Sequence, residues 1–166
     1  MKAVLFVLCV LFLSWCAAAQ TTNAWPSACG PREARFSVHR DWYLSKHFSP
    51  ATPAGEATIY FIQSGYSVVI VGIDGAWVGA SKDGTWFAAT VAPGMHHICE
   101  YANMPYWQSV KLSDIDAQPG ESYYFRAQVR YGYRDAPNTL KLEKIDGHDG
   151  SRLIAKYPLS VFQEKK

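Results

Sequence analysis

The sequence predicts an all-β fold, a single antiparallel β-sandwich of seven to eight strands with an irregular N-terminal leader and a short C-terminal helix. Three observations predict it. Short runs rich in β-branched and aromatic residues recur from residue 58 onward. Turn signals separate them, the first three at 8–12-residue spacing: Asp74-Gly75, Asp83-Gly84 and Pro93-Gly94, then a loop with Pro105 and Pro119-Gly120. Finally, residues 121–131 alternate strictly, with Tyr123, Phe125, Ala127, Val129 and Tyr131 on one face and Tyr124, Arg126, Gln128 and Arg130 on the other. The same signals fit an open barrel, the other common way of closing many short antiparallel strands.

Residues 1–19 read as a secretory signal peptide. Lys2 gives a positive start, residues 4–13 are an unbroken apolar run, and Ala17-Ala18-Ala19 offers a small-residue cut before Gln20. The run is too short for a spanning helix, which needs about 20 apolar residues. Leu13-Ser14-Trp15-Cys16 resembles a lipidation site, but Trp15 is far bulkier than the small residue expected before the modified Cys. The reading is therefore export to the periplasm, cell surface or medium, with no transmembrane segment in the mature chain.

Residues 20–57 hold Pro26, Pro31, Pro50 and Pro53 among small polar residues and read as an irregular leader, with one edge strand possible at 34–38. The β-domain then spans 58–166. Thr58-Ile59-Tyr60-Phe61-Ile62 opens it, and residues 67–73, apolar on both faces, predict a central strand. Residues 76–79 and 85–91 follow the two Asp-Gly hairpins, and 95–101 follow Pro93-Gly94. Further strands are expected at 108–112, 121–131 and 138–143. Asp149 or Ser151 would cap a short helix carrying Leu153, Ile154 and Tyr157 and stopped by Pro158.

Composition excludes several classes. Of 166 residues 49% are hydrophobic and 18% charged, which argues against disorder. The formal charge of +2 falls to +1 once Lys2 leaves with the export segment, so no basic footprint for nucleic acid exists. Cys9 and Cys16 also leave with that segment, so Cys29 and Cys99 remain and are expected to pair in an oxidising compartment.

No catalytic constellation is readable, and no cofactor is expected. His96 and His97 are adjacent, so on a strand they point to opposite faces and cannot chelate one ion together. His39, His47 and His148 lack the spacing of metal ligands. Asp114 and Asp116 share a strand face or a loop, but an Asp-x-Asp before a Pro-Gly turn is more often a solvated edge or a calcium-tolerant loop than a glycosidase pair. No nucleophile elbow or phosphate loop occurs. Two surface readings remain. Trp77, Trp86, Trp107 and Tyr106 fall near hairpins, where exposed rings stack on sugars, although Trp77 and Trp86 equally suit the ends of the core. Arg126 and Arg130, about 13 Å apart on one strand face, could meet an anionic glycan or headgroup with Tyr124 and Lys141. The expected role is a non-catalytic binding or structural module whose partner is an envelope protein or glycan. A carbohydrate-binding module is the alternative, and a hydrolase the outsider.

Several pieces also stand in a telling order: Ile59-Tyr60-Phe61, then Asp74-Gly75-Ala76-Trp77-Val78-Gly79, then Trp86-Phe87 after a Gly turn. Pro93-Gly94-Met95-His96-His97-Ile98 and Pro119-Gly120-Glu121-Ser122-Tyr123-Tyr124-Phe125 complete the set. Over about residues 57–146 the chain resembles a bacterial family known only as domain of unknown function 2846. The resemblance implies an extracytoplasmic β-sandwich, similar in style to carboxypeptidase-regulatory-like and surface-module domains. It carries over no catalytic residue, because the family has no established activity. Cys29-Gly30-Pro31 looks like the leader of exported members in which an early Cys accompanies one in a His-His-x-Cys strand. Read in that way, Ile98 faces the core and Cys99 the opposite face, so the leader would pack over the sheet from outside.

Overall fold

A computed structural model describes residues 24–48, 52–104, 106–132 and 137–165. The export segment expected at residues 1–19 lies outside the described residues.

Ten strands and two helices are present among them, in two sheets. In chain order they are β1 (Phe36–Asp41), α1 (Trp42–His47), β2 (Ala57–Gln63), β3 (Val68–Ile73), β4 (Ala76–Lys82), β5 (Thr85–Val91) and β6 (Gly94–Met104). β7 (Trp107–Ala117), β8 (Ser122–Arg130), β9 (Thr139–Ile145), α2 (Gly147–Lys156) and β10 (Leu159–Glu164) follow. One sheet has the order β1-β10-β5-β2-β8-β9 and the other β4-β3-β6-β7. The chain is thus mostly β, as expected, and β3 takes the central place its two apolar faces predict.

The two Asp-Gly hairpins form as read. Asp74 and Gly75 have φ of 50° and 89°, and Asp83 and Gly84 of 38° and 68°. Two left-handed residues in succession match the twist of the flanking strands, and Asp and Gly tolerate that region best.

The core draws on both sheets. Ile59, Phe61, Phe87 and Phe125 come from the six-stranded sheet, and Val71, Ile73, Ile98 and Ile115 from the four-stranded one. A second cluster joins Val69 and Ala102 to Ala127, Val129 and Leu140. Truncating a fully buried ring such as Phe61 costs about 3–5 kcal/mol in such a setting.

Four expectations need correction. The strands among the described residues number ten rather than seven or eight, because the edge strand allowed at 34–38 forms as β1 and another follows Pro158: β10 runs antiparallel to β1 from Phe36↔Glu164 to Asp41↔Leu159. The leader also supplies α1, which the irregular reading did not foresee, directly after the edge strand β1. The six-stranded sheet is mixed rather than antiparallel: β8 enters beside β2 in the same direction, and β10 meets β5 in parallel at Leu159↔Trp86. The cap of α2 is Asp146, whose side chain accepts from the Asp149 backbone N–H at 2.8 Å. Neither Asp149 nor Ser151 holds that place.

Cys29 and Cys99 are disulfide-bonded, with Cα atoms 5.2 Å apart, which is consistent with an oxidising compartment. Ile98 points into the core, and its neighbour Cys99 turns outward to join Ala28, Cys29, Trp25 and Trp77. No helix among the described residues is long and apolar enough to cross a membrane.

Candidate ligand groove between the two helices

The outer face of the six-stranded sheet carries its own apolar layer. Parallel pairing places Tyr60 of β2 directly beside Tyr124 of β8. The rings stack at 4.8 Å between centroids with 9° between planes. Burial first, and then the neighbouring Tyr124, raise the pKa of the Tyr60 phenol. Trp86 of β5 joins them, 6.0 Å from Tyr60, and is only 1% exposed. Its indole N–H donates to the Tyr157 carbonyl at 3.0 Å, which fixes it beneath the end of α2. Leu153 and Ile154 of α2 and Leu159 of β10 complete the layer.

The two helices cover this layer only in part. α1 follows β1 directly, capped by Asp41, whose carboxylate accepts from the Leu44 N–H at 2.8 Å. None of its residues is buried. Trp42 is 57% exposed and Phe48, just beyond it, 43%. Between α1 and α2 lies an open groove of about 450 Å³, within the size range of small-ligand sites. Tyr60, Trp86 and Tyr124 form its floor. Trp42, Ser45, Lys46 and Phe48 form one wall, and Ser151, Ile154 and Ala155 the other. Lys46 is the one charged residue in this described lining.

Of the candidates read from sequence, the structure brings Trp86 and Tyr124 together here. The others lie elsewhere. Trp77 stacks on Tyr101 at 6.2 Å under the leader, and its N–H donates to the Pro31 carbonyl at 2.8 Å. Trp107 is half-buried against the Val69 cluster, and Tyr106 stands fully exposed beside it. Arg126 is tied to Glu143, directly opposite on β9, and Lys141 reaches the same carboxylate. The Lys141 and Arg126 hydrogen bonds hold Glu143 below the usual carboxylate range. That pairing partly neutralises the cationic face expected of Arg126, Arg130 and Lys141; Arg130 lies exposed at the end of β8.

Reading the sequence alone missed Trp42, Lys46, Phe48 and Tyr60 as groove residues. The Asp41 cap signal before Trp42 is the one feature that could have located α1.

The histidines engage carboxylates singly. His96 Nδ1 lies 2.6 Å from Asp74 Oδ2 and its Nε2 2.7 Å from the Ala92 carbonyl, while His97 Nδ1 lies 2.7 Å from Asp114 Oδ1. Among the described residues no group of three or more His, Cys, Asp or Glu could hold a metal ion. Comparison with family models, curated proteins and solved structures finds no match to this chain.

Proposed function

We propose that this protein is an exported, non-catalytic β-sandwich module that works by binding, with the groove between α1 and α2 as its ligand side. The observation that carries the reading is the aromatic floor. Tyr60 and Tyr124, seated over the buried Trp86, form an apolar surface on the outside of a sheet, and two helices flank it without closing it. A purely structural module would gain by covering such a surface. Export is supported by the N-terminal pattern of Lys2, the apolar run and Ala17-Ala18-Ala19, together with the Cys29–Cys99 bridge. The resemblance to the domain of unknown function 2846 family points the same way.

A carbohydrate-binding module is the second reading, favoured by the exposed Trp42 ring at the groove wall. Hydrolysis has no support at the groove, whose described lining contains neither His nor carboxylate.

The test is a thermal-shift screen of small molecules on the parent protein and on Ala155→Trp, which fills the groove from α2. Ligands should raise the parent's melting temperature and leave the filled variant unmoved, since a ligand of the native state stabilises by mass action. Hits that shift both proteins equally, or turnover of any substrate, would overturn the reading.

A further inference from the structure

We infer that the groove takes a small aromatic anion: a flat apolar ring system bearing one carboxylate or equivalent oxyanion. The inference rests on the groove being the binding site and goes further by naming the ligand class.

Size sets the first bound. A volume of about 450 Å³ has room for roughly fifteen water-sized groups, enough for one or two fused rings with a substituent. The lining sets the second. Five aromatic residues (Trp42, Phe48, Tyr60, Trp86 and Tyr124) approach the space from floor and wall. Phe48 and Tyr60 each lie 6.0 Å from Trp86 and are tilted about 50° and 47° from it. A flat ring entering this set gains offset or edge contacts worth about 0.5–1.5 kcal/mol per ring pair beyond its area. A flexible acyl chain gains no such contacts.

The polar groups decide the charge. Lys46 supplies a full positive charge, and the described lining holds no Asp or Glu to balance it. A cationic ligand would meet the Lys46 charge with no carboxylate to offset it, and only the ring faces to attract it. The remaining polar groups are hydroxyls and indole N–H groups, all able to donate, and none is acceptor-only. The Ser45 hydroxyl is already spent on the Trp42 carbonyl at 3.0 Å, and the Trp86 N–H on the Tyr157 carbonyl. A neutral sugar presents a row of vicinal hydroxyls that need acceptors as well as donors. Here the described lining offers only a few hydroxyls as acceptors and no carboxylate or side-chain amide to hold a pair of them. A single oxyanion needs donors alone, and Lys46, Ser151 and the two phenols can provide them.

The test uses two fluorescent probes with the same anilinonaphthalene body: 8-anilinonaphthalene-1-sulfonate, which is anionic, and N-phenyl-1-naphthylamine, which lacks the sulfonate. Each is titrated into the folded parent, Lys46→Met and Ala155→Trp, with circular dichroism and melting curves confirming that each variant is folded. The sulfonate probe should bind the parent the more tightly. Lys46→Met should weaken that probe by about fivefold, the scale of one exposed charge pair, and leave the neutral probe unchanged. Ala155→Trp should weaken both. Equal affinity of the two probes, insensitive to Lys46, would overturn the anion while leaving the groove as a binding site. Competition by neutral oligosaccharides against either probe would assign the groove to sugars instead. Binding unaffected by Ala155→Trp would place the probes elsewhere and overturn both the ligand class and the groove.

Discussion

Gly150 of α2 lies directly over the ring of Tyr124 of β8. A methyl group at that glycine would stand 2.3 Å from two ring carbons and 2.8 Å from Cβ. The helix backbone therefore rests on the sheet without an intervening side chain, and this close seat fixes one wall of the groove. Gly150→Ala should gain up to about 1 kcal/mol in helix propensity and lose about 1–3 kcal/mol to overpacking. The expected result is net destabilisation in urea together with weaker binding of groove ligands. A variant more stable than the parent, with unchanged ligand affinity, would show that α2 does not rest on Tyr124.

A pH dependence follows from His96. Burial alone would lower its pKa, but the Asp74 hydrogen bond, the Ala92 carbonyl and the Asp74 charge outweigh that and raise it. Burial would likewise raise Asp74, but the His97 backbone N–H and the contact with His96 bring it below the usual range. The His96 contribution is whole below its unfolded value of about 6.5 and is lost as pH rises through the higher folded value. That of Asp74 is whole above about 3.9 and is lost as pH falls through its lower folded value. The pair is thus strongest between about pH 4 and 6.5. Subtracting the stability profile of Asp74→Asn from that of the parent should leave a peak in that window; a flat difference would rule the pair out as a stabilising contact.

Glu100 of β6, like His96, makes stability fall as pH rises, by another route. It is fully buried, one of its carboxyl oxygens has no partner among the described residues, and burial pushes its pKa up to about 8. The folded state keeps a proton that the unfolded chain releases above about pH 4.3. Stability should therefore fall as pH rises from about 4.3 to 8 and then level off. The full shift corresponds to an upper bound on the order of 5 kcal/mol. Glu100→Met, of similar length and uncharged, should be markedly more stable than the parent at pH 8 and differ little at pH 4.5. Parallel profiles for the two proteins would show that Glu100 is not held protonated.

What was legible in the sequence was local. Asp74-Gly75 and Asp83-Gly84 each specify a hairpin within four residues, and the alternation through Phe125 and Ala127 gives both faces of β8 without reference to a partner. What escaped depends on pairing between distant segments. Residues 159–164 form a strand because β1, more than a hundred residues earlier, offers an edge, and Pro158 reads locally as a stop. Tyr60 and Tyr124 become one surface only through the parallel pairing of β2 with β8, so two aromatics read separately gave no hint of a shared floor. α1 buries no residue and so has no apolar stripe to detect. Glu143 could be recognised as the partner of Arg126 only once β9 was set in register.

The last prediction concerns the leader. Cys29 and Cys99 close a loop of 70 residues, for which loop-closure entropy gives about 4 kcal/mol. The bridge does not act alone. Trp25 packs edge-on against Tyr101 at 4.9 Å and donates its N–H to the Gly30 carbonyl at 2.7 Å, while Trp77 reaches the Pro31 carbonyl. A Cβ at Gly30 would lie 2.5 Å from the Trp77 ring, so the chain must pass the indole as bare backbone. Two variants separate staple from packing. The double Cys29→Ser, Cys99→Ser protein should melt lower than the parent yet keep its Trp77 environment in near-ultraviolet circular dichroism, because the indole contacts survive. Gly30→Ala should keep both cysteines unreactive to thiol reagents in the denatured, non-reduced state but disturb that Trp77 signal. Protease should then cut first N-terminal to β1 in both variants, before the strands. If the double serine variant melts like the parent and its leader resists protease equally, packing by Trp25 and Trp77 suffices and the staple adds no stability.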